Sequence, residues 1–256
     1  MTGNTPFKFW ITRPEGTAEE LTQACADHHI DVVQLPLMDI NPCEDDGVAA
    51  RLVMNLDQYS HVIFISGNAV KYGMSLIEQY WPQLPVGVKW LAIGSATARA
   101  LQAFDVEVET THGAMNSEAL LALPSLREVQ PLQRVLIMRG VGGREHLASV
   151  LRERGASVDY CELYQRSIPN YPEGVIRHLL DDIGVNGWLA SSAETLQNGL
   201  ALAARDGCSQ LLALPIVVPS ERVADAARQA GCQRVIEAEN AGSHAVIEAL
   251  LRQGLI

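Results

Sequence analysis

The chain has 256 residues with a formal net charge of −11 at pH 7, and 48 % of the residues are hydrophobic. This composition excludes a disordered chain and is typical of a globular protein with one large domain or two of ordinary size. The acidic balance argues against general binding to nucleic acid or to an anionic membrane, because basic patches supply that affinity. A locally positive pocket is still compatible with it.

The first half of the chain alternates apolar runs with turns and amphipathic segments. Residues 7–12 are predicted to form a strand, and a turn at 13–16 follows. Thr17, with a glutamate three residues later, fits a capping box that starts a helix. Residues 32–40 are predicted to be extended, but Pro36 is atypical of a central strand. We therefore interpret this segment as a bridge between domains.

The same alternation continues as far as residue 124. Strands are predicted at 61–65, 90–93 and 106–108, and helices at 45–56, 69–80, 98–104 and 117–123, with Ser117 as the cap and Pro124 as the stop of the last one. Strands that alternate with helices favour parallel sheets covered by helices on both faces.

The second half of the chain repeats the first at an offset of 126 residues. Residues 133–166 match residues 7–40 without a gap, so that Leu163 falls on Leu37. The later strand–turn–helix modules recur in the same order with one residue of drift. A common offset across four modules predicts a duplicated α/β fold: two similar parallel-sheet domains with flanking helices.

Polar residues follow the predicted strands of both copies. Because parallel strands end at one edge of a sheet, and a helix with free N–H groups follows each strand, these residues are expected to line a cleft between the two domains and to bind a ligand with several carboxylates or phosphates. The candidates are Arg13, Ser66, Gly67, Ser95, Thr97, Arg139, Ser192 and Ser220. Two alternatives stay open: that the hydroxyl residues are only helix N-caps, and that the arginines are only surface ion-pair partners.

Tyr164 is the candidate for chemistry. It lies in the segment that matches the first bridge, where its phenol can donate a hydrogen bond or a proton to a ligand. The alternative is a half-buried tyrosine that packs the bridge. Familiar catalytic and metal motifs are absent: the glycine-rich turn at 140–145 ends in Glu145 and fails as a dinucleotide fingerprint, and the histidines are dispersed.

The five cysteines are scattered and none forms a CxxC pair. They are predicted to be free thiols, as in a reducing cytoplasm. The sequence shows no signal peptide and no apolar run of the ~18–20 residues that a membrane span needs. We therefore expect a cytoplasmic protein.

Five short segments together resemble the uroporphyrinogen-III synthase family, over nearly the whole chain. They are ITRP at 11–14, FISGNAV at 64–70, AIGSATA at 92–98, LYQR at 163–166 and PSER at 219–222. The resemblance implies two α/β domains joined by a two-stranded connection. It implies a discontinuous domain of residues 1–36 plus 167–256, an inserted domain of residues 40–163, and a bridge of residues 37–39 and 164–166.

The resemblance also implies a reaction. The family closes the linear tetrapyrrole hydroxymethylbilane into uroporphyrinogen III, with loss of water and inversion of the last pyrrole ring, and it uses no cofactor or metal. Tyr164 matches the cleft tyrosine and becomes the candidate acid. The turn residues match groups that hold the eight carboxylates of the substrate. This chain departs from the family at residues 218–221, where Glu221 puts the contribution of the Ser220 turn in doubt.

The resemblance further implies a monomer that acts after the enzyme that makes hydroxymethylbilane, itself a possible partner. Two other classes remain open at this point. One is a two-domain binding protein that closes on a small polyanion without chemistry. The other is a sugar-nucleotide enzyme, which would need clearer nucleotide-binding acids and glycines than this sequence has.

Overall fold

The computed structural model describes residues 6–44, 46–111 and 116–256. By its internal contacts the chain divides into two compact units. We call Met1–Asp39 with Ser167–Ile256 the split unit, and Ile40–Arg166 the continuous unit. Each contains one sheet flanked by helices. No helix among these described residues is long and apolar enough to cross a membrane.

The strands and helices are numbered in chain order. The strands are β1 (Lys8–Ile11), β2 (Asp31–Gln34), β3 (Asp39–Pro42), β4 (His61–Phe64), β5 (Lys89–Ala92), β6 (Val108–Thr110), β7 (Arg134–Gly140), β8 (Ser157–Ser167), β9 (Gly187–Leu189), β10 (Pro215–Val218) and β11 (Arg234–Glu237). The helices are α1 (Glu19–Asp27), α2 (Val48–Met54), α3 (Gly67–Tyr80), α4 (Gly94–Gln102), α5 (Ser117–Leu121), α6 (Pro124–Arg127), α7 (His146–Glu153), α8 (Val175–Arg177), α9 (Ala193–Arg205), α10 (Glu221–Gln229) and α11 (Ser243–Arg252).

The split unit is built on a five-stranded sheet in the order β11-β10-β9-β1-β2. Its strand pairs are parallel. Side chains alternate between the two faces, so Trp10 stacks on Trp188 in one core while Phe9 packs in the other. Burial on both faces explains why these strands read as unbroken apolar runs.

The continuous unit is built on a six-stranded sheet in the order β3-β8-β7-β4-β5-β6. One face packs Phe64, Met138 and neighbouring apolar residues against α2, α3 and α4. The other packs Ile63 and Ile137 with apolar residues of α5, α6 and α7. The predicted α/β class with mostly parallel sheets is confirmed.

The duplication is visible in both sheets, but the first strand–helix–strand module of each copy lies in the sheet of the other copy. In the split unit, β1 and β2 of the first copy join β9, β10 and β11 of the second copy, while in the continuous unit β7 and β8 of the second copy join β4, β5 and β6 of the first. A close helix contact is duplicated too. A Cβ on Gly73 of α3 would lie 3.2 Å from Leu163, and one on Gly199 of α9, 126 residues later, 2.9 Å from Leu37.

Two predicted helix caps and one predicted helix stop are wrong, each for a local reason. Thr17 does not cap α1: its hydroxyl donates to the Pro14 carbonyl (2.7 Å), and α1 begins without a side-chain cap. Asn116, not Ser117, caps α5 by accepting from the Ala119 amide (2.9 Å). Pro124 does not stop a helix but begins α6, at the position where a missing N–H costs nothing.

The extended segment predicted at 32–40 is two strands. β2 ends at Gln34 and pairs with β1, and β3 begins at Asp39 in the other sheet. Pro36 lies between them, where its lack of an N–H breaks no ladder. The helix predicted at 45–56 is shorter, because α2 covers Val48–Met54, and residue 45 lies outside the described residues.

Candidate active site

Tyr164 lies near the end of β8 with its phenol tied to the first turn of a helix. Its hydroxyl is 2.9 Å from the Ser66 hydroxyl, and Ser66 is the N-cap of α3, accepting from the Ala69 amide (3.0 Å). Either hydroxyl can donate in this pair, because the Ser66 oxygen has a second lone pair besides the one that accepts from the Ala69 amide. When Ser66 donates to the phenol oxygen, the phenol hydrogen is left for another acceptor.

The ring of Tyr164 is fixed by close packing, and the side chain is only 2 % exposed. A Cβ on Gly140 would lie 2.6 Å from a ring carbon of Tyr164, so any larger residue at the end of β7 would displace the ring. Tyr72 stacks on the other side, with ring centroids 5.8 Å apart. The backbone of Tyr164 is fixed as well, because its carbonyl accepts from the Val141 amide (2.8 Å).

Arg139 is buried near the end of β7 and is neither a surface ion-pair residue nor an unpaired cation. Its Nε donates to the Gly140 carbonyl (3.2 Å), and one terminal nitrogen donates to Glu145 (3.3 Å). The guanidinium lies 4.5 Å from the centroid of the Tyr160 ring. Its other terminal nitrogen, Nη2, has no acceptor among the residues that the structure describes.

Glu145 is held in its ionised form by its neighbours. Hydrogen bonds from Tyr160 (2.7 Å) and then from Arg139 lower the pKa of this carboxyl, outweighing a partial desolvation that acts to raise it. Burial raises the pKa of Tyr160, followed by its bond to Glu145, so the phenol remains a donor at neutral pH. The network thus fixes the glycine-rich turn of residues 140–145 onto β7.

Arg13 has the corresponding task in the split unit. It donates to the Ala241 carbonyl and to the Ser243 hydroxyl (3.5 Å), and so holds the segment that leads into α11. Burial lowers the pKa of Arg13, and the nearby Glu20 opposes that shift. The two arginines at equivalent strand ends therefore both brace a turn ahead of a helix.

The serine turns differ in how free their hydroxyls are. Ser192 caps α9 and closes a complete capping box with Thr195, whose amide donates to Ser192 (3.1 Å) while its hydroxyl accepts from the Ser192 amide (2.9 Å). Ser220 occupies the N-cap position of α10, but its side chain makes no capping bond. Glu221, the residue that departs from the family pattern, is the first residue of this helix and is exposed.

The remaining candidates lie at the starts of α3 and α4. These helices follow β4 and β5, which are neighbouring strands of the sheet. Gly67 is the first residue of α3 and Ser95 the second of α4, and both are exposed. Thr97 is buried, and its hydroxyl has no partner in the described part of the chain. Of all the candidates, Tyr164 and Ser66 are brought into direct contact.

Sequence reasoning missed the residues that position these groups. No sequence motif predicts the packing and hydrogen bonds through which they act; these residues are Gly140, Tyr72 and Tyr160. The one available signal was the placement of Gly140 between a predicted strand and a helix, where a glycine can mark a close approach of another group.

Two large grooves of the continuous unit are poorly suited to a polyanion. One, of about 850 Å³, is lined by Glu44, Asp46 and Glu162, and the other, of about 1140 Å³, by Glu107, Glu109 and Glu128 among others. Their carboxylates would repel an acidic ligand. Among the described residues no three His, Cys, Asp or Glu side chains come together as a metal site.

Residues 19–248 match the family described as uroporphyrinogen-III synthase HemD. A uroporphyrinogen-III synthase of Salmonella typhimurium is 32 % identical over 244 residues, which cover 94 % of this chain and 98 % of that protein. A uroporphyrinogen-III synthase of Escherichia coli is 32 % identical over 247 residues, with the same coverage of both chains.

Solved structures of the same name share the fold. A mutant uroporphyrinogen III synthase from Thermus thermophilus superposes with a TM-score of 0.60 at 18 % identity, covering 96 % of this chain and 99 % of that one. A uroporphyrinogen-III synthetase from Helicobacter pylori superposes with a TM-score of 0.57 at 16 % identity, covering 98 % and 100 %.

Proposed function

The chain belongs to the uroporphyrinogen-III synthase family, and we propose that Tyr164 is the residue through which it assists the loss of water from its substrate. The activity is that of a cyclising lyase of heme biosynthesis, which converts the linear tetrapyrrole hydroxymethylbilane into uroporphyrinogen III. The observation that carries the proposal for Tyr164 is its 2.9 Å hydrogen bond to a serine that already caps a helix.

The chemical step needs a proton at the leaving oxygen. As the bond between the terminal methylene carbon and its hydroxyl breaks, the pyrrole nitrogen supplies electrons and the Tyr164 phenol gives its proton, so that water leaves and an azafulvene cation remains. The Ser66 hydroxyl stabilises the resulting phenolate by donating to it. Attack on this cation by the substituted carbon of the last ring gives a spiro intermediate. The bond from that carbon to its original methylene group then breaks, and the free α-carbon of the same ring bonds to that methylene carbon and loses its proton. The phenolate takes up a proton, so the ring is inverted and the protein is restored.

The carboxylates of the substrate would be held by groups at the strand ends. Backbone N–H groups and hydroxyls are proposed to bind them, from Gly67, Ser95, Thr97 and Ser220. The hydroxyls of Thr97 and Ser220 make no hydrogen bond to a described side chain. Arg139 is proposed to bind a carboxylate through Nη2. Arg13 and Ser192 are proposed to contribute through the turns that they brace.

Residue 164 and its neighbours would keep the substrate folded for ring closure. Since the family chemistry joins two ends of one chain, the main contribution of the protein is the pose in which those ends meet. We further propose that the split and continuous units are the two domains of the enzyme, with residues 37–39 and 164–166 as the connecting segments.

A cytoplasmic, monomeric enzyme is proposed on the strength of its family and of its five free thiols, which persist in a reducing compartment. The enzyme that supplies hydroxymethylbilane remains a predicted partner. No nucleic-acid or membrane partner is proposed, in line with the net charge of −11.

The test is a coupled assay with freshly made hydroxymethylbilane, in which the type I and type III products are separated by chromatography. The wild-type chain is expected to give type III. Formation of only the spontaneous type I ring would contradict the function, and stabilisation of the chain by the substrate without any type III product would favour a binding protein instead.

A further inference from the structure

A third cavity of the continuous unit, of about 280 Å³, has the opposite character from the two acidic grooves. We propose that it binds one pyrrole ring of the linear substrate together with a carboxylate side chain of that ring. The inference rests on the proposed function and adds to it a subsite that neither the sequence motifs nor the Tyr164–Ser66 contact indicated.

The cavity lies at the carboxyl edge of the sheet, on the face opposite Tyr164. Ile65 and Ile93 line it directly after β4 and β5 end, and Leu147 closes it from α7. Arg139 points into it from β7, whereas the next residue, Gly140, lies under the ring of Tyr164. Two consecutive residues of β7 thus contact the cavity on one face of the sheet and the Tyr164 ring on the other.

The floor of the cavity is apolar and its rim is basic. Ile65, Ile93 and Leu147 are joined there by further aliphatic side chains, Leu120 and Ile137. Apolar walls with a few placed polar groups are typical of small-molecule sites, and they suit the flat carbon frame of a pyrrole.

The positive charge comes from two arginines. Arg139 is buried, and Glu145 occupies only one of its terminal nitrogens, so Nη2 is left to donate to a carboxylate. Arg144 also lines the cavity, is exposed, and is not paired with any described carboxylate. Glu145 and, at 3.9 Å from Nε, Glu162 offset the charge of Arg139. Arg144 is therefore the cation of this cavity without a carboxylate partner among the described residues.

The volume restricts what can enter. Pockets for drug-sized ligands are roughly 300–1,000 Å³, so a cavity of about 280 Å³ holds one ring and its side chains but not four linked rings. The other rings of the substrate must then lie outside it. The cavity is therefore a subsite that orients one ring relative to Tyr164.

The experiment measures binding of a monopyrrole with one acetate and one propionate side chain, by isothermal titration calorimetry and by NMR line broadening. Wild type is expected to bind it. Arg144→Gln is expected to weaken binding about tenfold, as for the loss of one charge-assisted hydrogen bond, and to raise KM for hydroxymethylbilane with little change in kcat. Ser117→Phe, which places a ring at the rim, is expected to abolish monopyrrole binding.

The matched control is Arg127→Gln, which makes the same change of charge at an exposed position of α6 away from the cavity. It is expected to bind the monopyrrole like wild type. No binding to wild type, or equal binding to Arg144→Gln and Ser117→Phe, overturns the proposal. This failure is distinct from failure of the enzyme function, since type III product would still form in the coupled assay.

Discussion

The turns after β4 and β9 occupy the same place in the two copies and use their serines differently. Ser66 and Ser192 both cap a helix through the amide three residues on. In the split unit that third residue is Thr195, which closes the capping box around Ser192. In the continuous unit it is Ala69, which has no side-chain hydroxyl, and Ser66 is left to bind Tyr164.

The difference shows how a duplicated fold can carry one reactive group. The first copy has Met38 at the position of Tyr164, and the second has Thr195 at the position of Ala69. Met38 leaves the split unit without the phenol, and Thr195 engages Ser192 in the capping box. The helix cap itself is kept in both, where the serine oxygen satisfies one of the free N–H groups of the first turn.

Replacing Tyr164 with Phe removes the phenol from the continuous unit and is the strongest test of the comparison. Since a general acid contributes typically about 10²–10⁴-fold, kcat is expected to fall by about a hundredfold or more while KM changes little. Steady-state kinetics with hydroxymethylbilane measure both. The control is Met38→Leu at the equivalent position. A kcat within twofold of wild type would leave Tyr164 as a packing residue.

Gly140→Ala keeps the phenol but moves it. The new methyl group would lie 2.6 Å from the Tyr164 ring, so the ring must shift and turnover is expected to fall about tenfold, with a loss of roughly 1–3 kcal/mol of stability from overpacking. Kinetics and thermal unfolding test the two effects.

Gly199→Ala is the matched control, because its methyl group would clash with Leu37 and Trp188 at 2.9 Å in the split unit. It is expected to lower stability by a similar amount and to leave turnover near that of wild type. Equal loss of turnover in both variants would attribute the effect of Gly140→Ala to stability alone.

Ala69→Ser would copy the closed capping box into the continuous unit. Serine is the choice because Ala69 is fully buried and threonine would overpack its site. The new hydroxyl competes with Tyr164 for Ser66, and we expect turnover to fall severalfold, as for the loss of about 1 kcal/mol from one hydrogen bond.

The reciprocal change, Thr195→Ala, removes the hydroxyl that accepts from the Ser192 amide and so breaks the capping box of the split unit. It is expected to cost about 1 kcal/mol of stability, as other losses of capping groups do, and to leave kcat unchanged. A turnover defect in Thr195→Ala equal to that of Ala69→Ser would show that the two turns are not functionally different.

The smallest expected effect is a pH dependence of stability that arises in the continuous unit and has no counterpart at the equivalent position of the split unit. His61 is buried, and its counterpart 126 residues on is Gly187. Burial lowers the pKa of His61, with Lys89 adding to the shift, and the Ser125 carbonyl and Glu109 opposing it. The unfolded chain therefore takes up a proton below pH 6.5 that the folded chain does not, so stability falls as pH drops through that value.

The expected loss is below about 1 kcal/mol at pH 6 and grows toward the lowered pKa. Denaturant unfolding between pH 8 and pH 5 measures it. His61→Gln should remove this part of the pH dependence, whereas His178→Gln, at an exposed position, should keep it. A pH profile unchanged by His61→Gln would show that other groups cause the loss.

The fold was predictable because its signals are local and repeated. Apolar runs, the 126-residue offset and the serines before helices each depend on a few neighbouring residues. Those signals also place Ser66 and Ser192 as caps. They failed at Thr17, whose hydroxyl donates to a turn carbonyl instead of capping α1. They also failed at Pro124, which begins the short helix α6 instead of ending a helix.

The sequence yields candidate positions for the site, but the contacts that those residues make could not be predicted from it. That Arg13 and Arg139 brace turns follows from which carbonyls and carboxylates the folded chain brings near them. The need for glycine at residue 140 follows from where the Tyr164 ring lands. Both depend on residues that are distant in the sequence or on packing that no pattern encodes.

The exchange of first modules sets an order for folding during synthesis. The last strand of the continuous unit's sheet, β8, ends at Ser167, so the sheet that carries Tyr164 can form once this residue has left the ribosome. β1 and β2, although made first, must wait for β9, which begins at Gly187. β1 and β2 pair with each other, but their sheet is complete only once β11 has been made, so the sheet that carries Tyr164 can form before the sheet that contains the first strand.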